Sequence, residues 1–275
     1  MELGQVTSMA ESDNTGLKPR GLRRLVPQPL RLVWRQLPGL FNYPRTILEE
    51  DTADYDVYWK EKRGGALGEL SPFQEKRARL VAELIETNAK VLDIGCGDGA
   101  ILNYLRERKQ IEPWGVDQSE TALAQAKESG VKTIMGDLRD PKVLDAIPEV
   151  DYITALEVLE HVPHPEELIR TLAPKCRKGF VVSFPNTGYW MYRLRLLFGR
   201  VPAQWRRHPG EHVRFWTIKD AHWWVQAMGC KLVALKSYEG LLGLNKICPS
   251  WFAMGLVLKI MAGEDHYKKI PTRKI

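Results

Sequence analysis

A short glycine-rich segment, residues 91–99, restricts the folds open to this chain more than any other stretch. Apolar residues run directly into Gly95, Gly97 and Gly99, and a helical pattern begins at Ala100. Glycine lets the backbone turn tightly and approach a ligand without a Cβ atom in the way. The start of the following helix presents unpaired N–H groups. The pattern therefore predicts a buried strand that ends in a ligand-binding turn.

Two classes of ligand suit such a turn. Gly95, Gly97 and Ala100 fit the fingerprint G-x-G-x-x-G/A of dinucleotide-binding folds. Asp93, however, places a carboxylate at the strand end facing the turn, and a carboxylate suits a cationic ligand better than a pyrophosphate. The pattern therefore favours a sulfonium cofactor, and a dinucleotide-dependent oxidoreductase is the alternative.

Three further predicted strands follow in order, and each ends in an acidic residue. Parallel strands present their carboxyl ends at one edge of a sheet, where open α/β folds bind ligands. The first acid lies at the distance from the glycines at which such folds place the residue that binds ribose. The acids and their neighbours are Asp117 with Gln118, Asp137 with Leu138, and Glu157.

These motifs resemble those of a known family. Asp93 followed by Gly95, Gly97 and Gly99 resembles the first motif of class I S-adenosylmethionine (SAM) methyltransferases, and residues 160–163 resemble a motif of the ubiquinone-type small-molecule methyltransferases. The resemblance spans residues 89–184 and implies an enzyme that uses SAM and releases S-adenosylhomocysteine. It implies an α/β fold with a Rossmann-like, seven-stranded, mostly parallel sheet, an antiparallel last strand and helices on both faces.

The resemblance also implies roles for individual residues. Asp93 is expected near the ammonium end of the methionine moiety, Asp117 at the ribose hydroxyls, and Asp137 with Leu138 at the adenine. The other implied cofactor-binding residues are Gly95, Gly97, Gln118 and Glu157. For each acid alone, a helix cap or a loop carboxylate is the alternative.

A second resemblance lies around the predicted fifth strand. Residues 183–200 are similar to the MetW family of methionine biosynthesis, whose members keep a methyltransferase core and are linked to homoserine acylation. This similarity implies an alternative function, a noncatalytic partner subunit of an acyltransferase. Residues 160–163 follow the pattern of ordinary methyltransferases, so a working enzyme is the primary interpretation.

The acceptor side is predicted from the segments that border the strand ends. Asn186, Tyr189 and Arg193 follow the fifth strand and are expected to face the transferred methyl group. The resemblance implies that Tyr58 and Trp59, just before the core, are lid residues over the cofactor, and packing of the first helix on the sheet is the alternative. The insertion 188–213 carries five arginines and His208 against one acid, Glu211. It predicts a positive mouth for a small or lipid- or sugar-linked anionic acceptor. A solvated basic helix face is the alternative.

Proton removal is assigned to His212, with Glu157 as a second choice. An unperturbed histidine pKa near 6.5 allows His212 to accept a hydroxyl proton, and a hydrogen-bonded loop histidine is the alternative. An amine acceptor would need positioning alone. His161 is expected to orient its loop. The four cysteines show no metal-ligand spacing, so no metal is predicted.

The 275 residues divide into four predicted regions. These are a basic, partly disordered extension (1–50), a lid segment with the first helix (51–88), the SAM-binding domain (89–262) and a tail (263–275). Trp223, Trp224 and Met228 have helical spacing and are expected in the core. No run is long and apolar enough for a membrane span or a signal peptide, so a cytoplasmic location is expected.

The basic extension suggests a surface contact. The segment from Lys18 to Arg45 contains seven basic residues, counting both ends, and no acid, and aliphatic residues lie among them. This composition favours peripheral contact with the inner membrane surface. Packing on the domain or on a second subunit, as in a homodimer, is the alternative. The basic residues form no nucleic-acid motif, so no nucleic-acid partner is expected.

Overall fold

One seven-stranded sheet forms the centre of the molecule. The computed structural model describes residues 38–42, 59, 67–204, 209–241 and 243–262. The strand order is β3-β2-β1-β4-β5-β7-β6. The strands are β1 Lys90–Ile94, β2 Glu112–Asp117, β3 Lys132–Met135, β4 Val150–Leu156, β5 Cys176–Pro185, β6 Lys231–Gly240 and β7 Ala253–Met261.

The pairing directions confirm the predicted sheet. Strands β1 to β5 pair in parallel, and β7 runs antiparallel to both of its neighbours, β5 and β6. The last strand therefore lies inside the sheet, and β6 forms the edge.

Helices alternate with the first five strands, as predicted. The α-helices are α1 Pro38–Phe41, α2 Pro72–Leu84, α3 Ala100–Lys109, α4 Glu120–Glu128, α5 Pro141–Ala146, α6 Pro165–Leu172, α7 Trp190–Leu197, α8 Ile218–Ala227, α9 Leu244–Ile247 and α10 Pro249–Phe252. Short 3₁₀ turns cover Leu159–His161, Ala173–Lys175 and Pro209–Glu211.

Local sequence explains where two of these helices begin. Ser71 accepts a hydrogen bond from the Gln74 backbone N–H, and the Gln74 side chain bonds back to the Ser71 backbone. Thr217 and Asp220 form the same reciprocal pair at the start of α8. Each pair satisfies N–H groups that a helix start leaves unbonded.

The sheet is buried on both faces. Neighbouring residues of a strand point to opposite faces, and here they enter two different hydrophobic clusters. One cluster contains Leu92, Ile153 and Val182, and the other contains the residues that precede them, Val91, Tyr152 and Val181. Burial on both faces is typical of parallel sheets covered by helices.

One core expectation is wrong. Trp224 and Met228 are buried as predicted, but 68% of Trp223 is exposed. Trp223 and Trp224 are consecutive residues of α8, so they point about 100° apart around the helix axis. Helical spacing identifies a periodic face, and the packing of α8 decides which of these two tryptophans belongs to it.

Candidate functional site

The candidate site lies where the strand order reverses. Strand β1 pairs with β2 on one side and with β4 on the other. Open α/β sheets bind ligands in the crevice outside the carboxyl ends of the strands at such a switch point. Asp93, Asp117 and Glu157 belong to the ends of these three strands, so the fold brings them to one crevice.

The glycine turn has the conformation that its sequence predicts. Gly95 has φ +71° and Gly97 has φ +53°, in the left-handed region that favours glycine. A Cβ on Gly95 would lie 2.5 Å from Val158 Cγ2, and one on Gly97 would lie 2.3 Å from the Trp59 ring. The turn therefore lies between the loop after β4 and an aromatic side chain.

Asp117 links the glycine turn to the start of α4. Its Oδ2 accepts a hydrogen bond from the Gly97 N–H at 2.8 Å, and its Oδ1 accepts one from the Ser119 N–H at 2.9 Å. Gln118, the residue between Asp117 and Ser119 in the chain, is exposed. The carboxylate thus lies against the turn at the tip of β2, where two acceptor oxygens can take a pair of hydroxyl groups.

Asp93 is a buried acid beside the turn. It is 3% exposed, and Thr154 Oγ1 donates a hydrogen bond to its Oδ1 at 2.6 Å. Burial raises the pKa of Asp93 to about 7, although Thr154 and the charge of Arg77 oppose this shift. A cation bound next to Asp93 would favour its carboxylate form.

Asp137 is held within its own loop. Arg139 donates to it from the backbone N–H at 2.8 Å and from the guanidinium, which lowers the pKa of Asp137. Leu138, the neighbouring residue, is partly buried. The expected adenine contact therefore comes from a loop at the end of β3 that Arg139 fixes.

Glu157 lies in a network that brings together distant parts of the chain. Its Oε1 accepts hydrogen bonds from Ser183 Oγ at 3.2 Å and Tyr238 Oη at 3.0 Å, and Arg77 Nη1 lies 3.5 Å away. Glu157 has φ +60°, an uncommon conformation for a residue other than glycine. Arg77 and Tyr238 were not predicted, because they come from α2 and β6.

A cluster of Glu160, His161 and His212 lies next to Glu157. One potential ligand atom from each of the three side chains lies within 4.8 Å of the others. The two imidazole rings are nearly perpendicular, with centroids 4.7 Å apart. His161 Nδ1 bonds to the Glu211 carbonyl at 2.6 Å. The prediction of no metal rested on the spacing of the four cysteines, and the two histidines of this cluster are far apart along the chain.

The electrostatics of this cluster are unusual. Glu160 is 1% exposed, and neither carboxylate oxygen has a hydrogen-bond partner in the described part of the chain. Burial and the charge of Glu157 raise the pKa of Glu160 well above its usual range. Burial and the adjacent His161 lower the pKa of His212 to about 4. At neutral pH His212 is therefore an uncharged imidazole, and it is a weaker base than the histidine with an unperturbed pKa that the sequence led us to expect.

The predicted acceptor-side residues make structural contacts. Asn186 is fully buried, and its Nδ2 donates to the Ala253 carbonyl at 2.8 Å. Tyr189 is 2% exposed. Arg193 donates to the Gly188 carbonyl at 2.6 Å and lies over the Trp251 ring. None of these contacts joins the group around Glu157, and Tyr58 lies outside the described residues.

The cations of the insertion do not line an open mouth in the described region. Arg195 is 1% exposed and donates to the carbonyls of Leu40, Asn42 and Val201. Arg200 donates to the Phe41 carbonyl at 2.6 Å. Both arginines therefore bind residues 38–42. Residues 206–208 lie outside the described residues.

The sheet order, the left-handed glycine turn and the acids around it define a class I SAM-dependent methyltransferase fold. The groups present fit SAM, because Asp93 is a buried carboxylate two residues before the glycine turn and Asp117 offers two oxygens beside that turn. The family model described as "Methionine biosynthesis protein MetW" matches residues 76–248, and the chain belongs to that family.

Comparisons with curated proteins point to methyltransferases. The chain is 33% identical over 153 residues to a ubiquinone biosynthesis O-methyltransferase of Pseudomonas putida (strain GB-1), covering 52% of this chain and 63% of that protein. It is 37% identical over 100 residues to the same enzyme of Pseudomonas fluorescens (strain SBW25), covering 34% and 43%. The matches thus span less than two thirds of these relatives.

Solved structures share the fold. A SAM-dependent methyltransferase from Archaeoglobus fulgidus matches with a TM-score of 0.53 and 16% identity, over 75% of this chain and all (100%) of that one. Magnesium protoporphyrin IX methyltransferase from Synechocystis PCC 6803, with bound SAH, matches with a TM-score of 0.50 and 15% identity, over 84% and 95%.

Proposed function

We propose that this protein transfers a methyl group from SAM to an oxygen atom of a small-molecule acceptor. The observation that carries the proposal is the contact between the glycine turn and the loop after β4. A Cβ on Gly95 would lie 2.5 Å from Val158, which stands between Glu157 and Glu160 in the chain. The glycine turn therefore lies against the loop that carries both acids. The names of the Pseudomonas relatives support oxygen as the acceptor atom.

The proposed cofactor residues are those that the crevice brings together. Asp93 faces the ammonium end, Asp117 and Gln118 face the ribose, and the loop of Asp137 and Leu138 faces the adenine. Gly95 and Gly97 let the backbone approach the ligand. When bound, SAM supplies an activated methyl group, so the protein needs mainly to align an acceptor and exclude water.

Glu157 and His212 are the proposed groups that receive the acceptor's proton. Glu157 is oriented by Ser183, Tyr238 and Arg77. His212 is in ring contact with His161 and lies close to Glu160, three residues after Glu157. The acceptor side is proposed to be shaped by backbone segments that are fixed by Asn186, Tyr189 and Arg193. Tyr58 remains a proposed lid residue.

A membrane-bound or anionic acceptor is the finer proposal. Large apolar side chains around the end of α7 are exposed next to Arg200, which binds residues 38–42. These exposed residues are Phe41, Leu196, Leu197, Phe198 and Val201. Phe41 belongs to the basic segment from Lys18 to Arg45, so the protein is proposed to contact an anionic membrane surface through this segment and the exposed residues of α7. A homodimer contact is the alternative. None of the helices in the described ranges is long and apolar enough to span a bilayer.

Titration calorimetry tests the cofactor assignment. The purified chain is titrated with SAM and, as a control, with NADH. One-to-one SAM binding without an NADH signal is expected, followed by methyl transfer to hydroxylated acceptors. Binding of NADH without SAM would contradict the proposal and support the dinucleotide alternative.

Membership of the MetW family favours a second candidate function. In this alternative the chain is a noncatalytic subunit that acts on an acyltransferase of methionine biosynthesis. Pull-down from native cells with the full chain tests it. Stoichiometric recovery of an acyltransferase, together with no methyl transfer in the presence of SAM, would favour this candidate.

A further inference from the structure

The connection between β6 and β7, residues 241–252, exposes apolar side chains at the crevice end of the sheet. Strand β7 runs antiparallel to both β5 and β6, so β5 and β6 end at the same edge of the sheet. This carboxyl edge carries α7 after β5, and α9 with α10 after β6. Ile247 of α9 is 80% exposed, Trp251 of α10 is 47% exposed, and Leu244 is exposed beside them.

The opposite edge of the sheet is covered by charges. Exposed ion pairs lie at or next to the amino ends of the parallel strands. They are Lys132 with Glu112 at 2.6 Å, Arg177 with Glu149 at 3.0 Å and Lys178 with Glu86 at 2.5 Å. Charged groups lose free energy when they leave water, so this amino edge disfavours an apolar environment. The two edges of the molecule therefore differ in polarity.

Hydrogen bonds hold α9 and α10 against the sheet. Ser237 Oγ donates to the Asn245 carbonyl at 3.2 Å, and Asn245 Nδ2 donates to the Glu239 carbonyl at 3.1 Å. Asn186 Nδ2 donates to the carbonyls of Pro249 and Ala253, which lie at the two ends of α10. These bonds fix the backbone that carries Ile247 and Trp251, so their exposed side chains form a defined surface.

The charges of this surface favour lipid over protein as its partner. Residues 241–252 contain Lys246, which is exposed, and no acidic residue. The guanidinium of Arg193 lies 4.3 Å from the centre of the Trp251 ring. Tryptophan is enriched where membranes meet water, and long basic side chains reach from apolar surroundings toward charged headgroups. Lysine, in contrast, is depleted in interfaces between proteins.

We propose that α9 and α10 contact an anionic phospholipid surface, in addition to the contact proposed for α7 and the basic segment. Two contacts on one edge fix an orientation in which the carboxyl edge faces the bilayer. Tyr238, two residues before the end of β6, bonds to Glu157 at 3.0 Å, so the contact surface begins beside the proposed crevice. One consequence rests on the proposed function: the acceptor enters the crevice from the lipid side.

Vesicle sedimentation tests the contact. The full chain is mixed with vesicles of phosphatidylglycerol and phosphatidylcholine, or of phosphatidylcholine alone. Ile247→Ser should bind the anionic vesicles about tenfold more weakly, because roughly one buried isoleucine is lost. Met261→Ser is the matched control, because Met261 is 40% exposed at the end of β7, on the amino edge. Equal binding of Ile247→Ser and the unmodified chain would overturn the proposal.

Tryptophan quenching tests the orientation. Lipids with brominated acyl chains quench only the tryptophans that lie against the bilayer. Trp251→Phe should lose part of the quenching that the unmodified chain shows. Trp114→Phe should keep it, because Trp114 lies on the amino edge between Lys90 and Lys132. Quenching that is unchanged in Trp251→Phe, or that falls only in Trp114→Phe, would overturn the orientation.

A second copy of this chain is the competing occupant of the surface. Analytical ultracentrifugation without lipid measures it. The unmodified chain and Ile247→Ser should have the same oligomeric state. A dimer that dissociates in Ile247→Ser, together with no vesicle binding, would overturn the lipid contact and assign the surface to a homodimer.

Calorimetry with SAM separates this proposal from the proposed function. Ile247 lies on the exposed side of α9, so Ile247→Ser should bind SAM as the unmodified chain does. A chain that binds SAM but no vesicles refutes the lipid contact alone. A chain that binds vesicles through Ile247 but does not bind SAM supports the contact and refutes the proposed function.

Discussion

At the scale of single residues, burial changes the chemistry of Asp93. Its folded pKa of about 7 lies above the value near 4 of an unfolded chain. The folded protein therefore holds a proton that the unfolded chain releases. The stabilisation linked to this proton is fully present below about pH 4 and is lost as pH rises through about 7.

This shift predicts a pH dependence of SAM binding. The SAM ammonium group should favour the carboxylate form of Asp93. The affinity for SAM should therefore rise between pH 6 and pH 7.5, as Asp93, with a pKa of about 7, loses its proton. Calorimetry at several pH values measures it. In Asp93→Asn the remaining pH dependence should come from the ligand's own amine. A wild-type curve that matches this variant would contradict the role of Asp93.

Asp117 allows a second test at this scale. Asp117→Ala removes the carboxylate that bonds Gly97 and Ser119. Lost charged hydrogen bonds should weaken SAM binding by roughly 1–3 kcal/mol. Asp137→Ala is the comparison, because Arg139 already occupies that carboxylate and a smaller loss is expected. Unchanged affinity of Asp117→Ala would exclude Asp117 from the site.

At the scale of elements, Asn186 connects the end of β5 to the segment that enters β7. Its Nδ2 donates to the carbonyls of Pro249 and Ala253, and its Oδ1 accepts from the Gly188 N–H at 3.0 Å. Because Asn186 donates to carbonyls at both ends of α10, it fixes the position of this helix relative to the sheet. The segment expected on the acceptor side is therefore held in place by a fully buried side chain.

Replacing this side chain should affect stability more than cofactor binding. Asn186→Ala leaves buried backbone groups unbonded and should lower the free energy of unfolding by about 2 kcal/mol or more. Urea unfolding measures it, with Thr187→Ala as the control for a partly buried neighbour. Full stability with strongly reduced turnover would instead identify Asn186 as a substrate contact.

At the scale of the whole molecule, charge and exposed apolar surface act together. The net charge is +6, and Leu197 is 77% exposed beside Phe198, which is 56% exposed. Basic groups attract an anionic surface over about a Debye length, and apolar side chains then insert. The proposed membrane contact therefore needs both features.

Vesicle sedimentation tests this combination. The full chain should bind anionic phospholipid vesicles, bind neutral ones weakly, and be released by salt. Leu197→Ser should reduce binding about tenfold, because roughly one buried leucine is lost. Val233→Ser, 45% exposed on β6, is the matched control. Equal binding to neutral vesicles, or no difference between the variants, would contradict the contact.

The sequence by itself determined the features that consecutive residues control. The glycine turn, the alternation of strands and helices and the helix caps all depend on local backbone preferences, so the fold and the acids at the strand ends could be predicted.

Tertiary structure alone decided which side chains meet. Packing brings Arg77 and Tyr238 into contact with Glu157. It also lets Arg195 donate hydrogen bonds to carbonyls of residues 38–42 and places His212 beside Glu160. These partners lie far apart in the chain, and packing sets their distances. Burial, which raises the pKa of Glu160 well above its usual range, exists only once the elements have packed.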